Sequence, residues 1–171
     1  MSTIAEAWFD RYRYPDWLRR HSTVVGRISA ALAQAHADAG ADVDPASVGL
    51  GGYLHDVGKS PLLHGDRREH HVLGPLVLAA EGRADLAELS RRHPVYAPQD
   101  PATAPRTLAE KIVYYADRRG GQTVVTLEER IDEQLARFPA HAGQREADLR
   151  AAKAIEAELF RDIDLHPEDL S

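Results

Sequence analysis

Apolar positions along most of the chain recur at helical spacing. Trp17, His21, Val24, Val25, Ile28 and Leu32 fall on one stripe, which predicts a helix with a buried face and a histidine inside it. Asp44 followed by Pro45 reads as an N-cap and first-turn proline, opening a helix through Val48, Leu50 and Leu54 that ends near Gly58. Gly49, Gly51 and Gly52 interrupt it at a cost of about 1 kcal/mol each relative to alanine, so another backbone is expected to approach closely there. After a loop through Pro61, a helix from about Arg67 is predicted with Leu73, Leu76, Val77 and Ala80 inward and His70 on the same face. The segment "GRADLAELSRRHPVYAPQDPATAP" starts as a short helix, presents His93 at its end and becomes a proline-rich loop, because Pro94 disfavours helical geometry at His93. "TLAE" at 107–110 is a capping-box pattern opening a helix with Ile112, Val113, Ala116 and Asp117. "TLEE" at 126–129 repeats it and starts a helix that stops before Pro139. A last amphipathic stretch, about Gln144 to Phe160, gathers Leu149, Ala152, Ile155, Glu156 and Leu159 near one face. "TVV" at 123–125 is too short for a sheet, so the expected fold class is all-α, a compact helical bundle.

Bulk properties narrow the function without choosing one. A chain of 171 residues fits a single domain able to bury a core unaided. Its 43% hydrophobic and 28% charged residues are the balance of a soluble globular protein. No apolar run approaches the roughly 20 residues of a membrane span, and the start "MSTIAEAWFDRYRYPDW" lacks a signal peptide's apolar stretch, which makes the cytoplasm the expected location. A formal charge of -6 argues against an extended nucleic-acid surface and leaves room for a local cationic site that meets a small anion. With no cysteine, any metal has to be held by imidazole and carboxylate.

Nine histidines make placement the informative quantity. In "YLHDVGKSP" the pair His55-Asp56 is, taken alone, either a ligand pair or two polar residues that close a helix. His21, His55, Asp56, His70, His93 and Asp117, however, all sit in or at the end of a predicted helix beside its apolar stripe, where a bundle keeps an internal metal site. His71 is rotated about 100° from His70 around a helix, which leaves it a supporting or surface residue, with His64 a loop alternative. His36, His141 and His166 have no such alignment and are expected at the surface.

This ordered set resembles the HD-domain superfamily of metal-dependent phosphohydrolases. "HDVGK" at 55–59 is similar to the HDIG form with its following lysine, "HHVLG" to a histidine-x-x-x-glycine element, "YYADRR" to the terminal alanine-aspartate, and "RRHS" to the first element. The resemblance covers about residues 17–138, with the helix at about 144–160 completing a single HD domain over 1–171. It implies hydrolysis of a nucleotide or related phosphate ester. It also implies a divalent metal cofactor, two transition ions with iron or manganese foremost and magnesium, cobalt, nickel or zinc open. Carried over from binuclear members, His21, His55, Asp56 and Asp117 hold one ion, and His70 and His93 hold the other with Asp56 shared, since a carboxylate can bridge where an imidazole cannot. Asp56 and Lys59 are the expected catalytic residues, and Lys59 and Arg118 the expected substrate contacts; Lys59 is otherwise a helix-end charge, and Arg118 and Arg119 are expected either to clamp a second phosphate or to form a solvated face. The GYP signature of cyclic-di-GMP hydrolases is not evident after "HDVGK". Diadenosine-tetraphosphate hydrolases are a narrower likeness, although their "HT-x-G" segment stands here as "HPVY". A sensor module that binds a nucleotide or a structural metal without hydrolysis is the alternative from another class. A homo-oligomer is compatible with all of these.

Overall fold

The computed structural model describes residues 3–137 and 143–170, so His141 and the end expected before Pro139 lie outside the described residues. In chain order the α-helices are α1 (Thr3–Arg11), α2 (Asp16–Asp38), α3 (Pro45–Leu54), α4 (His70–Ala80), α5 (Ala87–Arg91), α6 (Leu108–Arg119), α7 (Leu127–Arg137) and α8 (Arg145–Leu159). Short 3-10 turns join them, including Val57–Lys59 directly after α3. Among the described residues there is no strand; Gly120 and Val124 form only an isolated bridge. The protein is all-α.

Helix starts follow the local chemistry. Asp44 accepts from the Ala46 and Ser47 amides at 3.1 and 3.2 Å, and Pro45 takes the position where a missing N–H costs nothing. Thr107 and Glu110 form the reciprocal capping box of α6, and Thr126 with Glu129 repeats it before α7. Helix α3 ends at Leu54 with His55 as its cap, so His55 and Asp56 stand at the joint between a helix and a 3-10 turn.

The long helix α2 runs against α3 and α6, and all three feed one apolar core that includes Leu18, Val25, Ile28, Leu32, Leu54, Ile112 and Tyr115. The close approach expected at the glycines of α3 is present. A Cβ on Gly52 would lie 2.4 Å from Ser29 Oγ and 3.0 Å from the Cα of Gly26, and one on Gly26 would lie 2.4 Å from the Tyr53 ring. Glycine on both helices lets α2 and α3 meet nearly backbone to backbone, which fixes the spacing between His21 on one and His55 on the other.

Several expected faces are corrected. On α4, Leu76 is half-exposed and Ala80 exposed, while Leu73, Gly74 and Leu78 point inward; the helix starts at His70 rather than Arg67. Trp17 stands 43% exposed at the start of α2. His36 is buried at the far end of α2 rather than on the surface, whereas His64 and His166 are exposed. Helix α1 carries no sequence expectation at all, yet Ala5 and Phe9, one turn apart, anchor it in the core.

Candidate metal centre

Five elements deliver side chains to one point. His21 comes from α2, His55 and Asp56 from the end of α3, His70 from the first turn of α4, His93 from the segment after α5, and Asp117 from the last turn of α6. His21, His55, Asp56, His93 and Asp117 are all buried; His70 keeps 27% of its side chain exposed.

The distances sort them into two groups about Asp56. Its Oδ2 lies 3.4 Å from the Nε2 of both His21 and His55, and the Oδ1 of Asp117 lies 3.3 and 3.8 Å from the same two nitrogens. Its Oδ1 faces the other way, 3.5 Å from His70 Nε2 and 3.3 Å from His93 Nε2. Within each group the imidazoles almost touch through Nε2, at 3.2 Å for His21 and His55 and 3.1 Å for His70 and His93.

The hydrogen bonds behind the rings settle which nitrogen is available. A carbonyl oxygen can only accept, so the 2.7 Å contact of His55 Nδ1 with the Gly52 carbonyl and the 2.5 Å contact of His93 Nδ1 with the Ser90 carbonyl place a proton on Nδ1 in each. A neutral ring held this way presents its Nε2 lone pair to the centre. Ser90 also donates its hydroxyl to the His55 carbonyl at 2.6 Å, so one small residue ties two of the histidines together. A Cβ on Gly74 would fall 2.3 Å from that hydroxyl, which makes the glycine of α4 part of the same arrangement.

The chemistry of this donor set fits a divalent metal ion. Ligand atoms about 2.1 Å from a common transition ion stand roughly 3.0 Å apart across an octahedral edge and roughly 3.4 Å apart across a tetrahedral one. The 3.1 to 3.5 Å contacts of the His70, His93 and Asp56 Oδ1 group lie close to that range. Asp56 Oδ1 is fully buried and makes no hydrogen bond, a costly condition for a carboxylate oxygen unless a cation meets it. Among the described residues four triads have donor atoms close enough to share an ion: His21, His55 and Asp56; His55, His93 and Asp117; Asp56, His70 and His93; and, nearer the surface, Glu69, His70 and His71.

The electrostatics favour the ionised form of Asp56 and Asp117 and the neutral form of His70 and His93, but not that of His21. Burial alone would raise both carboxyl groups, but Lys59 and His55 hold Asp56 well below the usual carboxylate range, and Arg118, His21 and Arg130 do the same for Asp117. Burial pushes His70 and His93 down, toward neutral imidazole. It would push His21 down too, yet its hydrogen bonds to Asp117 and Asp56 outweigh the burial and raise it.

Lys59 sits at the mouth. Its Nζ contacts Asp56 Oδ2 at 2.7 Å and a third of its side chain is exposed. Arg118 is elsewhere than expected: it is 1% exposed, bonded to Asp117 Oδ2 and, at 3.0 Å, to Gln134, with its guanidinium over the Tyr114 ring. Burial removes it from the surface where a substrate would arrive, and it contacts Asp117 instead. Arg119 is neither solvated nor open to a phosphate, since it bonds the Val125 and Pro167 carbonyls and Tyr115. Two contributors escaped the sequence reading. Ser90 carries no local signal in "ELSRR", and Arg130 in "TLEERIDEQ" reads as one charge of an exposed ion-paired helix, yet it reaches Asp117.

The fold and the site together define an all-helical domain with a buried histidine and aspartate cluster at the meeting of its core helices. The HD domain family model matches residues 18–119, and the chain belongs to that family. No curated protein and no solved structure matches it. Among the described residues, no helix is long and apolar enough to cross a membrane.

Proposed function

We propose that the chain is a metal-dependent phosphohydrolase acting on a nucleotide or related phosphate ester, with His21, His55, Asp56 and Asp117 on one side of its centre and His70 and His93 on the other. The observation that carries this reading is Asp56, whose two oxygens each face a separate pair of imidazole nitrogens. That is the arrangement expected of a carboxylate shared between two cations.

When bound there, divalent cations supply acidified water and neutralise charge on phosphoryl oxygens. The nitrogen-rich His70 and His93 side favours iron, manganese or another transition ion over magnesium. The chain's own residues hold the ligands and admit the substrate from one direction. His70 and Lys59 are the members of the cluster that reach solvent, so the phosphate arrives across them. The Lys59 ammonium has three donors and a flexible stem, and it can turn from Asp56 to a phosphoryl oxygen as charge grows there. His55 and His93, locked by backbone carbonyls, keep their ring orientation through turnover.

The test is a panel of nucleoside mono-, di- and triphosphates, dinucleoside polyphosphates and cyclic nucleotides, assayed with Mn2+, Fe2+, Co2+, Ni2+, Zn2+ and Mg2+. Metal-dependent turnover that is lost in Asp56→Asn supports hydrolysis. Tight nucleotide binding without turnover under any ion would support the sensor reading instead.

A further inference from the structure

We propose that Arg130 of α7 is a positioning residue that holds Asp117 so that one lone pair of its Oδ1 faces His21 and His55. This rests on the reading of Asp117 as a metal ligand.

Arg130 is 5% exposed, and its guanidinium contacts converge on Asp117. Its Nε donates to the Asp117 carbonyl at 3.1 Å and one terminal nitrogen donates to Asp117 Oδ1 at 3.2 Å. Its other terminal nitrogen donates to Glu133 at 2.7 Å, one turn along α7, which anchors the guanidinium from behind. One planar group thus grips the main chain and the side chain of a single residue, which restricts both side-chain torsions of Asp117.

The carbonyl is free to be gripped because of where Asp117 lies. It is in the last turn of α6, where carbonyls lack partners within the helix, and the Gly121 amide that would continue the ladder donates to the Thr123 carbonyl instead. The side chain is divided as clearly. Oδ2 is taken by Arg118, and Arg130 takes one direction at Oδ1, which leaves the other toward His21 at 3.3 Å. Asp117 is therefore set up to bind an ion through Oδ1 alone. Glu133 offsets the charge that Arg130 brings, so the pair adds direction to the site more than net charge. Lysine could not replace this, because an ammonium is a point donor that cannot span a carbonyl and a carboxylate in one plane.

Arg130 lies beyond residue 119, where the family match ends, so α7 supplies this control from outside the matched region.

The experiment titrates the metal-free full chain with Co2+ alone, by calorimetry and by visible absorption, in a His70→Ala background that reads the Asp117 side by itself. R130Q is expected to weaken Co2+ binding by about 10- to 100-fold, the usual cost of losing a group that orients a ligand, and to shift the cobalt absorption band. R130K is expected to fall between R130Q and its parent. Affinity and spectrum equal to the parent's in R130Q would overturn the proposal, as would a loss matched by the fraction of unfolded chain seen by circular dichroism. If R130Q does not fold, R130K decides, and parent-like binding there overturns it. A parent that binds no Co2+ overturns the metal reading along with this one, whereas a parent that binds and variants that match it overturn this one alone.

Discussion

At position 58 a methyl group has nowhere to go. A Cβ on Gly58 would stand 2.0 Å from the His70 carbonyl oxygen, a clash against backbone that no side-chain rotation relieves. Gly58→Ala is expected to push the first turn of α4 away from the Val57–Lys59 turn, costing about 1 to 3 kcal/mol of stability. It should also lower ion binding at His70 and His93 while sparing the His21 side. Thermal unfolding with metal analysis checks both effects; an unchanged melting temperature would show that the turn yields easily. Asp56→Asn makes the opposite kind of change, nearly isosteric but without the anionic charge. It should leave the helical circular dichroism in place while kcat/KM falls by roughly three orders of magnitude, about 4 kcal/mol of lost transition-state stabilisation. Full turnover by this variant would refute the chemistry. Lys59→Met should keep the metal and lower kcat/KM roughly 10- to 1000-fold, and loss of metal in that variant would return Lys59 to a structural role.

Helices α3 and α6 show why element starts were legible while some faces were not. Caps are local chemistry, so Asp44-Pro45 and Thr107 to Glu110 announce their helices in four residues or fewer. Asp44→Ala should cost about 1 kcal/mol, because its carboxylate serves two amides, yet leave metal content unchanged, because the other end of α3 is fixed by Gly26, Ser29 and Ser90. A metal content that falls with the cap would mean that the helix start and the site are coupled. The face of α4 misled because Gly74, its closest inward contact, is not apolar; a stripe built from Leu73, Leu76, Val77 and Ala80 satisfies periodicity while ignoring the glycine against Ser90. Helix α1 buries little besides Ala5 and Phe9 within nine residues, too short a run for its period to stand out.

Across the whole molecule, the clustered histidines and aspartates were legible because such residues beside apolar stripes are expensive unless used, and their order along the chain resembles a known pattern. What supports them was not. Ser90 and Arg130 act through contacts 13 or more residues away, and nothing in their neighbours marks them; Arg118 stood out in the sequence, but for a surface role that its burial against Asp117 does not allow. Since the proposed ligands come from five separate elements, an ion bound to the native state alone should stabilise the entire fold, by about 2.7 kcal/mol at a free concentration a hundredfold above its dissociation constant. Chelation should lower the melting temperature accordingly, and identical unfolding curves with and without chelator would argue against a site shared by the core helices. The most direct test of a centre shared through Asp56 is elemental analysis of the wild type and His70→Ala after saturating reconstitution with Mn2+ or Fe2+. The expected result is two ions per chain in the wild type and one in His70→Ala; a wild type that never exceeds one ion, with His70→Ala unchanged, would contradict it.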